Sequence, residues 1–179
     1  MSKRANAFTI VELLIVMAII IILAGLVLGT SGYVQKKGSR SRAEAEIAAM
    51  WAACESYTAD NGIYPTDQAT TDQLDPTKAD PSTYASANLA LYKAISGDVN
   101  ANRQPTGKSY IGFKPNQLNP PSPSASTVTS IRDPFGNPYG YSTMKASDPS
   151  SPKGYNPTFD LWSTGGTTTG DQNQWIKNW

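Results

Sequence analysis

A 21-residue apolar run, FTIVELLIVMAIIIILAGLVL, stretches from Phe8 to Leu28 directly after a short basic leader, MSKRANA. As a helix it reaches about 31 Å, the thickness of a bilayer core. One carboxylate, Glu12, stands inside it. By insertion scales an acid costs about 2.5–3.5 kcal/mol at mid-membrane and less toward the interface. An anchor gains nothing from that charge, so a chain that carries it needs a partner for it.

Three readings of this N-terminus compete. A secretory signal would pair Lys3 and Arg4 with an apolar core of about 7–15 residues and a cleavage site after it. The run is longer than that, and Glu12 lies within it. A plain anchor accounts for the length and leaves Glu12 unexplained. A cut between Ala7 and Phe8 creates a new cationic amine at Phe8, with Glu12 at i+4 on the same helical face. The amine then serves as counter-charge, within one chain or from a neighbouring copy. The Glu12 penalty favours this third reading.

The segment KRANAFTIVELLIVMAII resembles the type IV prepilin leader shared by pilins and by the pseudopilins of type II secretion. The resemblance implies a prepilin peptidase that cuts before Phe8 and N-methylates it, with Glu12 guiding subunit addition. Ala7 stands where that family usually has glycine. It keeps a small side chain, so cleavage is expected, at a reduced rate. The resemblance also implies a single-pass inner-membrane protein with its C-terminal domain in the periplasm. Charge counting points the other way, because Lys36, Lys37, Arg40 and Arg42 follow the run and the positive-inside rule would hold them in the cytoplasm.

Removing seven residues leaves 172, enough for one membrane helix and one modest core. With 15 basic and 14 acidic residues the net charge is +1, so no nucleic-acid-binding patch is indicated. The single cysteine, Cys54, excludes an intramolecular disulfide. No histidine is present, which removes the commonest general base and transition-metal ligand. A non-enzymatic role is expected.

The organisation reads as a cleaved leader (1–7), a transmembrane and assembly half-helix (8–29) and a periplasmic domain (30–179). Gly25 and Gly29 form a G-x-x-x-G spacing that either lets helices approach or locally weakens the helix. An amphipathic helix over 33–61 follows. Ile47, Met50, Trp51, Cys54 and Tyr57 are assigned to its apolar face, and Asn61-Gly62 to its stop. In the variable region 66–130, Asn88–Ser96 reads as a short helix ended by Gly97, Ser109–Lys114 as a short strand, and 119–129 as a surface loop. In the sheet region 131–179, Gly136-Asn137 is a tight-turn pair, and Phe159–Ser163 alternates as a half-buried strand does. The expected fold is α+β and pilin-like: a long N-terminal helix packed on a small C-terminal antiparallel sheet.

Three further stretches sharpen the resemblance toward major pseudopilins: YTADNGIYPTD (57–67), DPFGNPY (133–139) and the terminal IKNW, with Phe135 replacing the family's usual tryptophan. Such proteins polymerise into a periplasmic pseudopilus that drives export of folded proteins. The resemblance implies copies of the chain itself, minor pseudopilins, the peptidase, an inner-membrane platform protein and the membrane as partners. A type IV pilin of a surface fibre is the alternative, although the C-terminal cysteine pair common there is missing. A membrane-tethered enzyme is third. The resemblance further implies a calcium site, which maps onto Leu161, Ser163, Asp171 and Asn173. Asp171 is the only carboxylate in this stretch, and fewer charges mean weaker binding. The other reading is a glycine-threonine loop held by its own hydrogen bonds.

Overall fold

The computed structural model describes residues 8–167 and 170–179, without the side chains of 27–31. The chain divides into two units, Met1–Gly38 and Ser39–Trp179. Helix α1 (Ile10–Asn61) contributes to both. Five short strands and two shorter helices follow it: α2 (Ala85–Ser96), β1 (Leu118–Asn119), β2 (Ser130–Ile131), β3 (Gly140–Ser142), α3 (Met144–Ser147), β4 (Asp160–Ser163) and β5 (Ile176–Lys177). The fold is α+β, as expected from the sequence, with a long N-terminal helix and small antiparallel sheets.

Within the second unit, the alanine-rich stretch of α1 has strong helix propensity. It buries Ala43, Ile47, Met50, Ala53 and Cys54 in the main core. These recur at steps of four, three, three and one, the stripe of a helix packed on one side. Trp51 does not join them: it is 49% exposed, because one step from Met50 rotates it about 100° off the buried face. Tyr57 is half-buried, its ring edge-on to Tyr110 at 5.5 Å. Burial pushes the Cys54 thiol up to about 12, which makes it a small core residue rather than a nucleophile.

Helix α2 begins three residues earlier than the apolar spacing suggests. Its entry is a 3-10 turn, Pro81–Thr83, capped by the Asp80 carboxylate on the Ser82 N–H at 3.1 Å. It stops at Gly97, as expected, with φ at +72°. A Cβ there would sit 2.7 Å from the Gly107 carbonyl oxygen, so conformation and space both require glycine. The buried Asn88 side chain donates to the Tyr139 carbonyl at 2.8 Å and accepts from the Ile131 N–H, tying α2 to β2 and to the approach to β3.

The segment Ser109–Lys114 is not a strand. The Tyr110 and Ile111 N–H groups both donate to the Ile95 carbonyl at the end of α2, at 2.8 and 3.2 Å. Its apolar side chains pack on the core from the side. Its residues suit a strand, but the backbone bonds to a helix terminus instead of a neighbouring strand.

Strands β3, β4 and β5 form one antiparallel sheet, with β4 central. Gly140 faces Trp162, Tyr141 faces Leu161, and Ser163 faces Ile176. Strands β1 and β2 make a separate antiparallel pair. All four residues of β4 are buried, so the strand is covered on both faces rather than half-exposed. One face joins the core beneath α1 through Leu161, while Trp162 packs in a second cluster with Leu74, Tyr84, Ala87 and Trp175. Its polar residues are enclosed with partners. Asp160 accepts the N–H groups of Tyr155 and Asn156 at 2.9 and 2.8 Å.

Candidate functional site

At the start of α1, Thr9 and Glu12 are bonded reciprocally. One oxygen of the Glu12 carboxylate, Oε2, accepts the Thr9 N–H and the Thr9 hydroxyl, both at 2.9 Å. The Glu12 N–H donates back to Thr9 Oγ1 at 3.2 Å. This is a capping box, in which a threonine at the helix cap and a glutamate three residues on satisfy each other's backbone donors. The negative charge also lies at the positive end of the helix dipole. T-x-x-E is legible in the sequence, yet reading Glu12 against the Phe8 amine alone passes over Thr9. The second carboxylate oxygen, Oε1, has no hydrogen bond among the described residues.

Phe8, beside this cap, is 80% exposed. Ala7, on the other side of the expected cleavage point, lies outside the described residues. From Ile10 to Leu26 the large apolar side chains are exposed. An exposed apolar surface of that extent marks contact with a membrane or with other chains. Among the described residues no helix is long and apolar enough to cross a membrane. The apolar run is described only in part, since the side chains of 27–31, and with them Gly29, fall outside the described set.

The basic cluster after the run splits in two. Lys36 and Lys37 are exposed. Arg42 bonds Glu46 at 2.8 Å, and Glu46 also accepts from Gln117 and from the Tyr139 hydroxyl. Arg40 reaches the C-terminal loop, donating to the carbonyls of Gln174 at 2.8 Å and Trp175 at 3.2 Å.

The two recognisable C-terminal blocks meet at Asp133. Its Oδ1 accepts the N–H groups of Phe135 and Asn137, at 2.9 and 2.8 Å, which folds the DPFGNPY turn. Its Oδ2 accepts the Ser163 hydroxyl at 2.6 Å, which joins that turn to β4. Burial pushes the Asp133 carboxyl above its ordinary range despite these bonds, and Asp160 is raised for the same reason. A raised carboxyl contributes stability that is present below the unfolded-state value and is lost as pH rises through the folded one. Asp133→Asn is therefore expected to compare worst with wild type in acid and to improve relative to it toward neutral pH. Paired thermal melts across that range check the sign. A gap between the two that does not change with pH would contradict it.

Of the four residues assigned to calcium, the Leu161 carbonyl accepts the Asn178 N–H at 3.1 Å. Ser163 Oγ donates to Asp133 and accepts the Gly165 N–H at 3.1 Å. Asp171 is exposed and opens the 3-10 turn Gln172–Gln174 by accepting the Asn173 N–H at 3.0 Å. Asn173 is exposed. Among the described residues no group of three or more carboxylate, cysteine or histidine side chains is placed to hold a metal.

Residues 2–28 match a family model described as the prokaryotic N-terminal methylation motif. No curated protein and no solved structure matches the chain. The match spans the leader, the Ala7–Phe8 junction, the Thr9–Glu12 cap and the apolar run, so this chain carries the prokaryotic N-terminal methylation motif.

Proposed function

We propose that the chain is the structural subunit of a periplasmic pseudopilus in type II protein secretion. A prepilin peptidase cuts between Ala7 and Phe8 and methylates Phe8. The apolar segment holds the subunit in the inner membrane until it joins a fibre of like copies and minor subunits, extended by a membrane platform. The fibre's growth drives folded proteins across the outer membrane, and the subunit itself catalyses nothing.

The observation that carries this reading is the arrangement at the head of α1. A carboxylate sits within an apolar helix, its Oε2 bonded to Thr9 and its Oε1 without a hydrogen bond among the described residues, four residues from the position whose amine the cut would expose. The i, i+4 spacing of Phe8 and Glu12 puts the freed amine on the same helical face as the carboxylate, which supports a pairing within one chain or with a neighbouring copy. Two features favour a pseudopilus over a surface pilus. The DPFGNPY turn is wired into β4 through Asp133, and the lone cysteine is buried in the core.

A deletion strain complemented with the full chain tests this. Folded exoproteins are expected to accumulate in the periplasm without the gene and to leave the cell when it is restored. Mass spectrometry of the membrane-extracted product is expected to show N-methylated Phe8 as its first residue. An intact Met1 terminus in functional fibres would defeat the reading. Normal secretion with loss of adhesion, motility or DNA uptake would assign the chain to a surface pilus instead.

A further inference from the structure

We propose that Arg40, and not a bound calcium ion, is the cation that fixes the C-terminal segment at Gln174 and Trp175 against α1. The fold of this unit is then indifferent to calcium. The inference stands whether the fibre is a pseudopilus or a pilus, because it concerns the folding of the second unit alone.

Calcium asks for six to eight oxygens, with several carboxylates among them for affinity. The loop offers one carboxylate, and Asp171 spends an oxygen on capping a 3-10 turn at the surface. Ser163 is bound in both directions, to Asp133 and to the Gly165 N–H. Thr164 Oγ1 is a buried oxygen without a hydrogen bond among the described residues. Among the described side chains of this loop, one unbonded hydroxyl and one exposed carboxylate fall far short of the charge a calcium shell needs.

A positive charge is nevertheless present. Consecutive carbonyls, those of Gln174 and Trp175, converge on the Arg40 guanidinium, each on a different terminal nitrogen. A guanidinium keeps its charge at every accessible pH and offers donors in a fixed fork, which suits two neighbouring oxygens. Glu44, one turn along α1, steadies the same side chain at 3.5 Å. On the loop's inner side a Cβ at Gly165 would lie 2.6 Å from the Gln174 oxygen and 3.9 Å from Arg40 Nη1, so the loop is drawn tight against the guanidinium. A divalent ion brought to this loop would meet a fixed positive charge, and the Coulomb term would oppose it. Arg40 is 134 residues from Gln174 in sequence, so its contact closes the chain's end onto the helix at its beginning.

The four tryptophans, at 51, 162, 175 and 179, all lie in the Ser39–Trp179 unit, so tryptophan fluorescence reports on that unit within the full chain. Thermal melts of the full-length protein in detergent are expected to coincide in EDTA and in about 5 mM calcium chloride, a concentration above even weak extracellular calcium sites. Arg40→Ala is expected to melt about 5–10 °C lower, from the loss of two charge-assisted bonds. Arg40→Lys, which keeps the charge without the fork, is expected to fall between. A calcium-induced rise of about 5 °C or more in the wild type would overturn the proposal. So would an Arg40→Ala protein that melts with the wild type. Should the alanine variant not fold, the lysine variant decides: a melt equal to wild type refutes the clamp, and a lower one supports it.

Discussion

Glu12→Ala is expected to leave the chain in the membrane and to remove it from the fibre. Deleting the carboxylate relieves a transfer cost of up to about 2.5–3.5 kcal/mol, so insertion holds or improves. Assembly loses the counter-charge of the Phe8 amine. Two opposite charges 4 Å apart at an effective dielectric of 20 attract by about 4 kcal/mol, so a fall in fibre incorporation of at least about tenfold is expected. The Thr9 bonds allow the charge to be separated from the cap. Glu12→Gln can still accept the Thr9 N–H, as glutamine does in capping boxes, yet it carries no charge. It should assemble as poorly as the alanine variant. Thr9→Val keeps the charge and loses the hydroxyl's part in the cap, at about 1 kcal/mol, and its assembly defect should be milder. Quantifying sheared fibres against the membrane pool gives the ratio. Normal fibres from Glu12→Gln would leave the capping box as the residue's whole role.

The largest stability effect is expected from Gly140→Ala. A Cβ at this position would lie 2.1 Å from Trp162 Cε2 and 2.2 Å from Cζ2, directly across the β3–β4 register. The indole has nowhere to go. It is fully buried, edge-on to Tyr84 at 5.1 Å and stacked on Trp175 at 6.2 Å. Overpacking a closed site usually costs about 1–3 kcal/mol. Here the clash falls on a rigid ring held on several sides, so a loss of about 4 kcal/mol or more is expected, in the range where single substitutions are diagnostic. Fluorescence melts should show a drop of about 10 °C or more. Adding Trp162→Leu should recover part of it, as a coupled pair does in a double-mutant cycle. A Gly140→Ala protein that melts with the wild type would mean that Trp162 does not pack on this backbone.

The features that could be read from the chain alone share one property: their causes lie within a few residues. Helix α1 is written in propensity and a repeating apolar stripe. Gly62 and Gly97 stop their helices with a positive φ that any side chain would strain. The T-x-x-E cap is contained in four residues, Thr9 to Glu12. The methylation motif is likewise one continuous stretch.

What stayed hidden depends on residues far apart in sequence. Whether Ser109–Lys114 becomes a strand turns on which acceptor its backbone meets, and that acceptor is the Ile95 carbonyl. The alternation of β4 could not reveal that its second face is also covered, because Tyr84 and Trp175 come from opposite sides of the chain. In the sequence Arg40 is one of four basic residues after the apolar run, and only folding brings two carbonyls from the C-terminus to it. Asp133 stands in the sequence as the first residue of DPFGNPY, and its bond to Ser163 exists only once the two blocks pack together. Short-range preferences act before folding and leave a pattern in the chain. Burial and long-range hydrogen bonding are settled by which surfaces exclude water together, and no local pattern records that.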